Sequence, residues 1–127
     1  MRIVYPRADA GRVTKHGVDM WIHAAGDESP NAGVVYQETP TGHAEEFAHD
    51  RSAFVFYIIE GEGTWVVDGE EHPVKATDVV IVPPGKRFHY RGTLKQVCVT
   101  APAWSPEHER HVRFVDLPDA AARPRRT

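Results

Sequence analysis

Apolar and polar positions along the chain are organised around one stretch, Phe54 to Pro84 (FVFYIIEGEGTWVVDGEEHPVKATDVVIVPP). Phe54 to Ile59 is an unbroken apolar run of six residues, rich in β-branched and aromatic types. It is too short for a helix and predicts a buried strand. Glu60-Gly61-Glu62-Gly63 predicts a turn and Thr64 to Val67 a returning strand. Asp68-Gly69 is a two-residue hairpin signal, because both residue types tolerate positive φ. Glu70 to Val74 predicts a third, more polar strand. Asp78 to Val82 predicts a fourth, strongly apolar one, stopped by Pro83-Pro84-Gly85, since proline donates nothing to a ladder.

Before this stretch, Ile3 to Tyr5, Val18 to His23 and Val34 to Glu38 predict short strands. Polar Arg7 to Gly17 is expected to cross the surface, Gly26 to Gly33 is a turn cluster, and His43 to Ser52 reads as a polar loop. After it, Arg87 to Arg91 and Leu94 to Thr100 predict two strands separated by Gly92. The second places Leu94, Gln96, Cys98 and Thr100 on one face and Lys95, Val97 and Val99 on the other. One segment predicts a short C-terminal helix: Ser105 caps, Pro106 suits the first helical position, Glu107 favours the positive end, and Trp104 staples the entry. It should run through about Val112, with extended structure from Arg113 to Leu117. Around nine short strands with turns every few residues predict an all-β sandwich or barrel.

At 127 residues the chain is expected to form one domain over 1–117, followed by a disordered basic tail over 118–127. A hydrophobic fraction of 41% and a charged fraction of 26% are those of an ordinary globular protein. The net charge of −3 argues against nucleic acid as a main partner. No apolar run approaches membrane-helix length, and the N-terminus lacks the apolar core of a signal peptide, so no membrane partner is expected. Cys98 is the single cysteine, which excludes an intrachain disulfide and fits a cytoplasmic location.

The run GEGTWVVDGEEHPVKATDVVIVPPG resembles the cupin pattern, in which a Gly-x-Gly element, a hairpin and a Gly-Asp-apolar-apolar-x-x-Pro-x-Gly segment lead to a histidine. Tyr57 to Gly63 matches the end of the first cupin motif. Asp78 to Gly85 matches the start of the second, with Thr77 where glycine is usual. The resemblance covers roughly positions 34–102. It implies a cupin-type jelly-roll β-barrel (a double-stranded β-helix, RmlC-like) with a small-molecule pocket inside. It also implies a homodimer pairing through N-terminal strands such as Ile3 to Tyr5.

Metal-binding cupins carry His-x-His and then Glu in the first motif, and His in the second. Here the glutamate position falls on Phe54, or on Phe56 with a shifted register. The His-x-His positions fall on Ala48 and Asp50, or on Phe47 and His49 with one inserted residue. The second-motif position falls on Phe88, with His89 next to it. The resemblance therefore implies His49, Asp50 and His89 as ligands for a divalent transition metal (Fe, Mn, Ni or Zn). The other reading is a centre that holds none. His43 and Glu46 are further candidates from the preceding loop. Such a site needs three or four converging N/O ligands, and a one-residue slip along a strand turns a side chain away from the interior.

His89 and His49 are the expected catalytic groups, as base or metal ligand. Phe54, Phe56, Tyr36 and Arg87 are the expected pocket residues, with Arg87 suited to hold a carboxylate. His43 and His72 sit in turn-like contexts and read as surface residues, and Cys98 reads as a small buried hydrophobe. The function these residues imply is proton-transfer chemistry on a small polar or carboxylated molecule, as in an isomerase, epimerase, cyclase or lyase. A non-catalytic ligand-binding or sensing cupin with a degenerate metal site is the alternative.

Overall fold

Strand alternation and two glycine-marked bends dictate the architecture. A computed structural model describes residues 2–117; the expected basic tail lies outside the described residues. Nine strands follow one another: β1 (Gly11–Lys15), β2 (Val18–Ala24), β3 (Gly33–Thr39), β4 (Gly42–His49), β5 (Ala53–Val67), β6 (Glu70–Lys75), β7 (Val79–Val82), β8 (Phe88–Ala101) and β9 (Glu109–Phe114). Every pairing among them is antiparallel. The long strands β5 and β8 pair with each other along nearly their whole length. One half of β8 also pairs β3 and the other half pairs β4, while β5 pairs β7 and then β6. Two strands shared in this way curl the sheet into a jelly roll.

The Gly-x-Gly element is thus a bend inside one fifteen-residue strand, not a turn between two. A Cβ on Gly61 would lie 2.0 Å from the Thr93 carbonyl oxygen, and one on Gly92 2.4 Å from that of Glu62. Both glycines adopt positive φ, so the crossing of β5 and β8 needs residues without side chains. Gly92 likewise bends a continuous β8 where two strands were expected.

Inward positions form the core: Phe54, Phe56 and Ile58 on β5, Phe88, Tyr90, Leu94 and Cys98 on β8, and Trp65 beyond the bend. The faces expected for Leu94 to Thr100 are those observed, with Leu94, Gln96, Cys98 and Thr100 buried. Asp68 and Gly69 make the β5–β6 turn with positive φ.

Three further expectations change. Ile3 to Tyr5 forms no strand, and β1 falls within the segment read as surface crossing. The stretch read as a polar loop is β4, whose polar side chains are buried by partners of opposite charge or by the barrel interior. The C-terminal helix is one 3-10 turn, Pro106–His108, and the chain is extended again from Glu109, where it pairs with β4.

Candidate functional site

The barrel interior holds a cavity of about 410 Å³. Its walls are mostly apolar, with Met20, Val35, Phe47, Phe54, Phe56 and Cys98 contributing side chains. Val13, Lys15, Trp104 and Glu109 also line it, and Val13 and Trp104 are exposed, which places the mouth there. Burial pushes the Cys98 thiol pKa up, so it remains an uncharged wall element.

A polar group interrupts this lining: His43 and Glu45 on β4, Gln37 on β3 and Tyr90 on β8. Strand parity positions them. His43, Glu45 and Phe47 share the inward face of β4, while Glu46 between them points away. His43 stands opposite Tyr90 in the β4–β8 register.

His43 is 6% exposed, and its Nδ1 lies 2.8 Å from the Glu45 backbone carbonyl oxygen. That oxygen can only accept, so Nδ1 carries the proton and Nε2 presents a bare lone pair. Nε2 makes no hydrogen bond among the described residues. Burial is the main cause that lowers the His43 pKa to about 4, and the hydrogen bond to Glu45 opposes it. His43 is therefore a neutral acceptor throughout the physiological range. The Glu45 carboxylate beneath it meets His16 Nε2 at 3.2 Å and His111 Nδ1 at 2.7 Å.

Tyr90 is fully buried and stacks on Trp65, with ring centroids 4.3 Å apart at 12°. Burial raises its pKa, so the phenol stays protonated. Its hydroxyl donates to Gln37 Oε1 at 3.2 Å and accepts from Gln96 Nε2 at 3.1 Å.

Of the residues expected to form the site, Phe54 and Phe56 stand on the cavity wall. Tyr36 does not line it: it lies on the outer face of β3 against Trp21 and donates to Glu38 at 2.8 Å. Burial and that carboxylate raise its pKa to about 12. Arg87 is likewise outside, donating to Glu46 at 2.9 Å. His49 has both ring nitrogens engaged. Its Nε2 lies 2.9 Å from the Ser105 carbonyl oxygen, and its Nδ1 accepts from the Ser52 N–H at 2.9 Å. Asp50 is exposed and paired with Arg110 at 2.8 Å. His89 faces Glu46 at 3.9 Å, one position away from the inward Tyr90. Burial lowers its pKa.

His49, Asp50 and His89 therefore do not converge. Among the described residues no group of three or more His, Cys, Asp or Glu side chains is placed to hold a metal ion. On the cavity wall His43 and Glu45 are the nearest to a ligand set, and both Glu45 oxygens already have histidine partners. The residues present do not fit a divalent transition metal in the family's manner.

His43 is the group that sequence reading placed on the surface and the structure places inside. The available signal was the alternation of His43, Glu45 and Phe47 after Gly42, a strand pattern hidden by polarity. Gln96 gave no signal beyond sharing a face with Leu94, Cys98 and Thr100, and Gln37 gave none.

Known proteins share this fold. Pac13 of Streptomyces, bound to uridine and carrying a tyrosine-to-phenylalanine substitution, is 36% identical, with a TM-score of 0.87 over 94% of this chain and 99% of that one. A second Pac13 structure, described as that of a unique nucleoside dehydratase, is 35% identical over 94% and 100% of the two chains, also with a TM-score of 0.87. An ectoine synthase from P. lautus shares the fold, with a TM-score of 0.68 at 17% identity over 91% and 93%. An endoribonuclease, YbeY of Myxococcus xanthus, is 32% identical over 106 residues, 80% of this chain. The chain spans about a third (34%) of that relative's length. The Cupin_2 model, described as a cupin domain, matches residues 35–111. With more than half of its length inside that match and an all-β jelly roll around an internal cavity, this chain is a small single-domain cupin of the Cupin_2 family.

Proposed function

We propose that this cupin is an enzyme that binds a nucleoside-like molecule inside its barrel and removes water from it by proton transfer, with His43 as the base. The observation that carries the reading is the bare Nε2 of a neutral, buried His43 on the wall of a cavity large enough for such a ligand. Pac13 structures supply the ligand class. Three of them, each with uridine, carry a substitution at a histidine or at one of two tyrosines. Those positions are numbered one below His43, Phe56 and Tyr90 here, and all three residues line the cavity. By that one-residue offset Phe56 takes the place of a Pac13 tyrosine, and uridine is present in the Pac13 structure that carries a tyrosine-to-phenylalanine substitution. The replacement is thus compatible with nucleoside binding.

Imidazole is too weak a base for an unactivated C–H, so the substrate must carry a carbonyl beside the carbon that loses its proton. His43 Nε2 takes that proton, and the electron pair forms the new C=C bond. The neighbouring hydroxyl leaves as water with the proton that the imidazolium now holds. The Glu45 carbonyl oxygen at Nδ1 and the Glu45 carboxylate stabilise the imidazolium while it exists. No step is routed through a metal. The endoribonuclease name is not carried over, because an enclosed apolar cavity and a net charge of −3 do not suit an RNA backbone.

Two further parts of the reading concern its setting. The free, buried Cys98 supports a reducing, cytoplasmic location. A second copy of the chain is the proposed partner of the outer face of β5 and β7. There Tyr57 pairs with Val79 and Val55 with Ile81, and Ile81 is 64% exposed.

Calorimetric titration with uridine tests the binding. Saturable one-to-one binding that is lost in Val35→Trp, which fills the cavity, is the expected result. Unchanged binding in that variant would place the ligand elsewhere. Binding with no turnover of any carbonyl-bearing nucleoside would favour the non-catalytic reading.

A further inference from the structure

We propose that Gln37 is a specificity-determining residue of this cavity: a fixed hydrogen-bond donor that selects ligands with a ring carbonyl oxygen at that point. The inference rests on the nucleoside reading of the cavity and goes beyond it, because it assigns a residue that discriminates among such ligands.

Gln37 is 6% exposed and lines the cavity from β3, directly opposite Gln96 in the β3–β8 register. Its Oε1 accepts from Gln96 Nε2 at 2.7 Å and from the Tyr90 hydroxyl at 3.2 Å. Gln96 Nε2 also donates to the Tyr90 hydroxyl at 3.1 Å, which closes a triangle of three side chains. An amide's oxygen and nitrogen are nearly equal in size and shape, so the direction of such a triangle follows from what each choice leaves unpaired.

Two directions make the same three contacts. With Gln37 Oε1 turned into the triangle, the group left over is Gln96 Oε1, a buried acceptor without a partner. With both amides reversed and the hydroxyl rotated, the group left over is the Gln96 amide nitrogen, with two hydrogens and no acceptor. Gln96 is 0% exposed, so neither group has water to turn to. Orphaned buried N–H groups are rarer and costlier than an underused carbonyl oxygen. The first direction is therefore the stable one.

It leaves Gln37 Nε2 as the atom presented to the cavity, with no hydrogen-bond partner among the described residues. Two donors hold the Gln37 carbonyl oxygen, and the stack on Trp65 holds Tyr90. The amide cannot turn over without breaking both hydrogen bonds. A ligand carbonyl oxygen completes this donor, whereas a ring N–H or amino group would meet it donor to donor. Discrimination of this kind is strong because the mismatched ligand leaves buried polar groups unpaired.

The test compares uridine with 2-thiouridine and 4-thiouridine, in which sulfur, a poor acceptor, replaces one ring oxygen at a time. Titrations use the unsubstituted protein, Gln37→Met and Gln37→Glu, with thermal melting as the check on folding. One of the two thio analogues should bind about tenfold more weakly than uridine to the unsubstituted protein, and Gln37→Met should erase that difference. Gln37→Glu keeps the shape and both contacts to Oε1 but presents an acceptor, so it should lose uridine affinity by tenfold or more. The inference is overturned if neither thio analogue is disfavoured, if the preference survives in Gln37→Met, or if Gln37→Glu binds uridine normally. Failure of the unsubstituted protein to bind uridine at all would overturn the nucleoside reading and this inference together.

Discussion

His43 is held neutral by burial, and that makes its pKa a stability statement. The folded-state pKa is about 4 against an ordinary value of 6.5. Between those values the unfolded chain binds a proton at this histidine that the folded chain does not. The contribution is therefore fully present above about pH 6.5 and is lost progressively as the pH falls toward 4. Linkage gives a loss of about 1 kcal/mol at about pH 5.5 and roughly 2 to 3 kcal/mol at about pH 4.5. The perturbation is His43→Gln, which cannot titrate but retains a donor for the Glu45 carbonyl oxygen. Urea unfolding of both proteins at about pH 7.5, 5.5 and 4.5 supplies the comparison, because titrating groups other than His43 and its neighbours His16 and Glu45 are shared and cancel in the difference. The unsubstituted protein should lose that much more stability than the variant on acidification. A stability difference independent of pH to within about 0.5 kcal/mol would show that His43 is not held neutral by burial, and so would a difference of the opposite sign.

Two other outcomes follow from the structure. Glu46, 1% exposed, accepts from Arg87 and Arg113 at 2.9 Å each and ties β4 to the segment that leads into β8 and to β9. Both arginines are about half exposed and regain water when it is removed, so Glu46→Gln should cost about 1 to 2 kcal/mol in urea unfolding, not the larger penalty of a sealed pair. The exposed face of β5 and β7 should be covered in solution. Light scattering at micromolar concentration should give twice the chain mass, and Ile81→Lys should give a monomer with an unchanged far-UV spectrum; a monomer in both would remove the second copy from the account.

Much of the barrel was legible from alternation and turn chemistry. The run Phe54 to Ile59 announced a buried strand because apolar burial is written directly in side-chain type, whereas Leu94 to Thr100 announced two alternating faces without marking which one turns inward. Asp68-Gly69 announced its turn because few residues accept positive φ. Gly61 and Gly92 misled, since a glycine that relieves a close backbone crossing leaves the same mark in a sequence as one that closes a turn. The candidate site was less legible for a reason of the same kind. Gly42 to His49 is a buried strand built from polar residues, and its burial depends on partners far along the chain: Arg87 and Arg113 for Glu46, His16 and His111 for Glu45. The family motif directed attention to His49 and His89, whose motif positions lie close to the family's ligand positions. An irregularity between His43 and Phe47 breaks the β4–β8 register, so the partner of each β4 residue across the sheet is not specified by the local sequence. Gln96 was visible only as a polar residue on the face of Leu94, Cys98 and Thr100, Gln37 only as part of a strand, and their pairing requires the β3–β8 register.

The proposed dehydration requires His43 to take a proton from a nucleoside-like molecule held in the barrel. Its most direct test is single-turnover incubation with uridine derivatives bearing a carbonyl beside the reacting carbon, with the loss of one water followed by mass spectrometry. The unsubstituted protein should release the dehydrated product. His43→Gln should still bind the same derivative in calorimetry but turn it over at least about 100-fold more slowly. Dehydration at an undiminished rate in His43→Gln would contradict the claim, as would the absence of product with every derivative that binds.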